Sequence, residues 1–175
     1  MAPVVGQTGV TLHALQDICQ RMREVDKVEI YGMMPHDSWY VLSWDAYALI
    51  TNKGRGRVAW WQGRPAGLCA FTEMHPGVWN AWMFGTDDFR NVVVDLVRWG
   101  RREVRDILAV SRGHRCQCDS RAGHDQAHRL LKALGARQEG PPMKGYGKDG
   151  SDYLRFVWLR ETDSAVLEPG FVRAG

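Results

Sequence analysis

The 175 residues carry 23 Lys and Arg against 20 Asp and Glu, a formal charge of +3, and are 45% hydrophobic. That suits one domain with a substantial core and is too weak a field to argue by itself for nucleic acid. No apolar run approaches the roughly 20 residues a membrane span needs, and the start lacks a charged segment followed by an apolar one, so the expectation is a whole chain folded inside a cell.

The four cysteines, Cys19, Cys69, Cys116 and Cys118, are unevenly spaced. They do not suggest a secreted disulfide framework, and reduced thiols are expected. Met1 to Gly9 reads as a loose arm or an edge strand. Thr11 then stands as an N-cap before Leu12, Leu15, Cys19 and Met22, whose spacing predicts an amphipathic helix. Its charged continuation, Arg23 to Tyr31, is interrupted by Gly32 and Pro35. A second helix is predicted from Ser38 or Ser43 to Asn52-Lys53-Gly54, followed by a mobile Gly54-Arg55-Gly56.

From Arg57 the pattern changes to strands. Val58 to Gln62, a turn at Gly63-Arg64-Pro65, Ala66 to Glu73, a turn at His75-Pro76-Gly77, and Val78 to Gly85 predict three antiparallel strands in sequence. Asp87 or Asp88 caps a long helix broken at Gly100 and ended near Gly113. A strand at His114 to Cys118, a helix at Gly123 to Leu134, a Gly/Pro loop at Gly140 to Gly150 and a last strand at Tyr153 to Leu159 complete the pattern. This order predicts an α+β or mixed α/β fold, a mostly antiparallel twisted sheet with helices on both faces. Residues 1–160 form one domain in this reading, and residues 161–175 a tail without periodicity.

The segment Asp119 to Ala136 reads as loop, amphipathic helix and glycine stop. With the element order over Leu12 to Leu159, it resembles the acyl-CoA N-acyltransferase (GNAT) superfamily. The family's helix pattern of Asn, Ala, Tyr and Gly-Phe falls here on His124, Ala127, Leu131, Gly135 and Ala136. The spacing agrees, but three of the five residue types differ. The family's loop after the fourth strand is glycine-rich, because backbone N–H groups must approach a diphosphate. Here Phe84-Gly85-Thr86-Asp87-Asp88-Phe89-Arg90-Asn91 has one glycine and two adjacent carboxylates. The Tyr that protonates the leaving thiolate in the family is replaced by Leu131, which has no proton to give.

Trp82-Met83-Phe84-Gly85-Thr86-Asp87, the His124 to Ala136 helix and the Gly150 to Phe156 strand are similar to the GNAT-like internal virion proteins of short-tailed phages. That resemblance implies a protein of the virion, and of the host cytoplasm during assembly. It would act through other phage structural proteins or a second copy of itself and use no cofactor. The alternative is an acyltransferase using acetyl-CoA. The resemblance would then give Met83, Phe84, Gly85, Thr86, Arg90, Asn91 and His124 to the cofactor, with Tyr146 or His128 as an atypical acid.

Other patterns compete for function. His124 and His128 share a helical face, and His114, Cys116 and Cys118 share a strand face, but core filling and capping are the better readings and no metal is expected. Trp60, Trp61, Trp99, Arg101 and Arg102 are interface candidates, because Trp beside Arg is favoured where proteins meet. Adjacent Trp60 and Trp61 must point to opposite sheet faces. The Arg98 to Arg105 helix is a weaker candidate for nucleic acid, since Asp95 and Asp106 flank it.

Overall fold

A computed structural model describes residues 5–110 and 112–160. Among them, seven strands form one sheet in the order β1-β2-β3-β4-β5-β7-β6. The strands are β1 (Val5–Thr8), β2 (Gly54–Trp61), β3 (Arg64–His75), β4 (Val78–Gly85), β5 (Arg115–Arg121), β6 (Arg137–Met143) and β7 (Tyr153–Leu159). All neighbours run antiparallel except β4 and β5. The helices are α1 (Leu12–Gln20), α2 (Glu24–Tyr31), α3 (Trp39–Lys53), α4 (Phe89–Ala109) and α5 (Asp125–Ala133). The expected fold class is the one observed. The predicted tail lies outside the described residues.

Local chemistry accounts for the starts of two helices. The Ala14 N–H donates to Thr11 Oγ1 at 3.3 Å, and the Val41 N–H donates to Ser38 Oγ at 3.3 Å, each satisfying a donor that the helix leaves open. Arg23 to Tyr31 forms a separate helix rather than a continuation, because the chain passes through an isolated bridge between Met22 and Thr86. Gly100 does not interrupt α4. A Cβ there would make only ordinary contacts with Leu134 and Cys69, at 3.4 and 3.5 Å.

Two segments differ from expectation. Gly54-Arg55-Gly56 is the start of β2, paired with Phe71 and its neighbours, rather than a mobile connection. A Cβ at Gly56 would sit 2.6 Å from Val10 and 3.0 Å from Ile50, so glycine there admits close packing. The loop expected from Gly140 contains part of β6, which pairs with β7 through an irregularity between Glu139 and Met143. Pro141 and Pro142 are tolerated because β6 is an edge strand.

The sheet separates two cores. Leu15, Ile18, Leu42, Val58, Leu68 and Phe84 pack under α1 and α3 on one face. Phe71, Val92, Leu96, Ile107, Leu131 and Phe156 pack under α4 and α5 on the other. Each fully buried large side chain contributes about 1.5–3 kcal/mol. Trp60 joins the first core and Trp61 the second, as their adjacency in one strand requires.

Candidate functional site

The two halves of the sheet meet at a short parallel seam. β4 and β5 pair only at Val78 with Arg115, Trp79 with Cys116 and Asn80 with Gln117. Past that point β4 stays paired with β3 as far as Gly85, and β5 stays paired with β7 as far as Arg121. The two strands therefore separate, and Ala81 to Gly85 keep one edge open. The Gly85 N–H donates to Asp26 Oδ2 at 2.9 Å and its carbonyl accepts from the Arg23 N–H at 3.0 Å, so both groups point away from β3. The Thr86 N–H points the other way, donating to the Ala66 carbonyl at 2.9 Å. By the two-residue alternation of a strand, Met83 also presents its peptide groups to the gap, as does the carbonyl of Ala81, whose N–H serves the last parallel pair with Gln117.

A cavity of about 760 Å³ fills this gap and reaches both faces of the sheet. Leu42 and Leu49 line it from α3, Val93 and Leu131 from α4 and α5, and Met83 and Cys118 from the diverging strands. Its walls are mostly apolar, with a few charged groups held by one another. His124 Nδ1 donates to Glu29 Oε2, and both residues line the cavity. This fixes the imidazole with Nε2 as its open nitrogen, the arrangement that suits proton acceptance.

On the wall formed by β5 and β7, the Arg155 guanidinium donates to both oxygens of Asp119, at 2.7 and 2.8 Å. The Tyr146 hydroxyl donates to Asp119 Oδ2 at 3.3 Å. Burial, and then the charge of Asp119, pushes the Tyr146 phenol above its ordinary pKa. Burial raises the Cys118 thiol well above its usual range, with Glu29 and Asp119 adding to the effect, so it remains a thiol and not a nucleophile. Asp26 is nearly inaccessible, and burial raises its pKa against the opposing pull of Arg23 and the Gly85 N–H.

Of the residues expected at a cofactor site, Met83, Phe84, Arg90 and His124 line the cavity, as does Tyr146. Gly85, Thr86 and Asn91 do not; Thr86 is buried against the Ala66 carbonyl. Leu131 stands in the cavity wall. His128 requires correction as a candidate acid. Its Nε2 lies 3.1 Å from the Arg121 carbonyl, its ring packs 5.2 Å from Phe156, and it is absent from the cavity wall.

Trp99 requires correction too. It is buried against Phe71, with the Arg57 guanidinium 5.6 Å from its ring, and offers no interface. Trp60 and Trp61 are half-buried, and Trp60 Nε1 donates to Thr8 Oγ1 at 2.8 Å. Arg101 and Arg102 are both exposed, and Arg101 donates to the Ala133 carbonyl at the end of α5. The exposed aromatic residues among those described lie elsewhere, at Trp39, Tyr40 and Trp44 of α3 and at Tyr146. Glu29, Asp26, Asp119 and Arg155 carried no sequence signal. They come from three elements that only the fold brings together.

The loop before α4 does not fit a diphosphate. Besides the Gly85 and Thr86 donors already described, the Asp88 N–H bonds to Thr86 Oγ1, the Phe89 N–H to the Thr86 carbonyl and the Asn91 N–H to the Asp88 carbonyl. Asp87 and Asp88 add like charge. The gap itself does fit a slender amide-bearing chain, because it offers open peptide groups between apolar walls. Among the described residues, no group of three or more His, Cys, Asp or Glu is placed to hold a metal ion. No helix among them is long and apolar enough to cross a membrane.

No protein-family model and no curated protein matches the chain. Solved structures do. Spermidine N-acetyltransferase from Vibrio cholerae, in complex with CoA and spermine, is similar with a TM-score of 0.65 at 12% identity, over 89% of this chain and 95% of that one. Ribosomal-protein-S5-alanine acetyltransferase from Vibrio fischeri is similar with a TM-score of 0.65 at 12% identity, over 90% and 93%. A protein from Acinetobacter baylyi reaches a TM-score of 0.68 at 14% identity, over 91% and 94%. The chain has the GNAT fold of these acetyltransferases.

Proposed function

We propose that this protein is an acyltransferase that admits an acyl thioester of the pantetheine type, such as acetyl-CoA, between β4 and β5 and passes the acyl group to an amine. The observation that carries this reading is the open edge of β4 over a cavity that reaches both faces of the sheet. A pantetheine arm is extended and contains two amides, so it can continue the β ladder against the Ala81 carbonyl and the peptide groups of Met83. When bound, the thioester supplies an activated acyl carbon. The opposite mouth of the cavity leaves room for the acceptor.

His124, oriented by Glu29, takes the proton that the attacking amine must lose. Tyr146, at the cavity beside Asp119, is the group placed to return one. Leu131 cannot do so, and the loss of a general acid costs about 10²–10⁴ in rate. Tyr146 stands in for it, and the demand on it is light, because a thiol of pKa about 8.5 leaves as thiolate without full protonation. Spermidine and the alanine of a ribosomal protein, named for the similar enzymes, are both amines, which supports an amine acceptor.

The phage-particle role implied by sequence likeness has no counterpart among those structures, and nothing in the cavity calls for it. Amide resonances of Ala81 and Met83 should shift on addition of acetyl-CoA, along with the His124 ring. Shifts confined to other surfaces, or none at millimolar ligand, would sink the reading.

A further inference from the structure

The misfit at the loop raises the question of what holds the charged end of the donor. Four acidic residues line the cavity, Asp26, Glu29, Asp45 and Asp119, and each has a cationic or imidazole neighbour. Arg23 pairs with Asp26 at 2.8 Å, Arg155 with Asp119 at 2.7 Å, His124 with Glu29, and His36 with Asp45 at 3.4 Å. Two further cations line the same cavity, Arg90 from the first turn of α4 and Arg129 from the middle of α5. Neither makes an ion pair or hydrogen bond among the described residues, and both are exposed. Arg90 and Arg129 are therefore the two cavity arginines not held by a carboxylate of the wall, and they come from α4 and α5.

Resting on the acyl-thioester reading, we infer that Arg90 and Arg129 form a side-chain clamp for the phosphate next to the pantetheine arm, replacing the backbone cradle that this chain lacks. The guanidinium group suits this task. Its planar fork bonds phosphate oxygens in pairs and stays charged at every relevant pH. An arginine carries its charge well clear of its own backbone, whereas a backbone cradle would bring the phosphate against Asp87 and Asp88. Five N–H groups of the loop, those of Gly85, Thr86, Asp88, Phe89 and Asn91, are already committed to Asp26, Ala66, Thr86 and Asp88. A clamp of this kind reads a phosphate on pantetheine and makes no demand on the nucleotide beyond it. The same chemistry is offered by coenzyme A and by a phosphopantetheine group carried on another protein.

Calorimetric titration of the full chain with pantetheine, 4′-phosphopantetheine and coenzyme A tests the clamp. The wild-type protein should bind both phosphorylated species about tenfold or more tightly than pantetheine, the scale of one charge-assisted hydrogen bond. In R90A/R129A that excess should vanish while pantetheine affinity stays unchanged, and R90K/R129K should retain part of it. Phosphopantetheine binding as tightly as coenzyme A supports the clamp and assigns it to a single phosphate. Tighter coenzyme A binding, lost in R90A/R129A, supports it with the diphosphate as ligand. If R90A/R129A keeps the wild-type preference for phosphorylated species, the clamp is wrong and the acyl-thioester reading stands. If no species binds, including pantetheine, both fall together.

Discussion

The side chain on which the site is built is Asp26, which is 4% exposed and holds two parts of the chain together. Its carboxylate accepts from the Gly85 N–H and from Arg23 Nε and Nη2, at 2.9, 3.0 and 2.8 Å, and so ties α2 to the end of β4. Asp26→Ala leaves a half-buried guanidinium and a buried N–H without partners and should cost about 3–5 kcal/mol in chemical denaturation. Asp26→Asn keeps one acceptor and should cost less. Equal losses would show that the carboxylate pairing is not what matters. His128 gives the pH dependence. Burial lowers its pKa below 6.5, so the neutral ring's contribution is present above that value and is lost as pH falls through the folded-state pKa. Stability should decline on acidification below pH ~6.5, and His128→Gln should flatten that decline. An unchanged slope in the variant would place the dependence on other groups.

At the level of elements, β4 carries two environments on its two edges. The amides of Trp82 and Phe84 face β3, that of Ala81 closes the last parallel pair with Gln117, and that of Met83 faces the gap. Hydrogen exchange should therefore be faster at Met83 than at Trp82 and Phe84 in the free protein. Uniform protection along β4 would mean the gap is closed. Gly85 matters for the same strand, since a Cβ there would lie 2.6 Å from the Ala66 carbonyl and against Phe89. Gly85→Ala should destabilise by about 1–3 kcal/mol, read as a shift in the denaturation midpoint. Much of this scaffold was legible in the sequence. Thr11 and Ser38 announced two helices, and the alternation from Val58 to Gly85 announced the meander. The edge strand β6 was hidden because Gly140, Pro141 and Pro142 carry turn chemistry that an edge tolerates. The start of β2 was hidden because glycines needed for packing against Ile50 look like a flexible link.

For the whole molecule, the sheet is two sub-sheets joined by three parallel residue pairs, with the cavity where the joint opens. The sequence showed which family residues were missing, Leu131 for an acid and Asp87-Asp88 for a glycine-rich cradle. It could not show what stands in their place. Glu29 and His124 are 95 residues apart and Asp119 and Arg155 are 36 apart, so only the folded sheet brings them to one cavity. A ligand that spans the joint binds the folded state alone and should stabilise it by about 2.7 kcal/mol at a concentration 100 times its Kd. The most direct test is calorimetric titration of the wild-type chain with acetyl-CoA. A saturable one-to-one isotherm at micromolar or tighter Kd is the result predicted by a donor channel between β4 and β5. A flat trace at millimolar acetyl-CoA, with the protein folded, would contradict it.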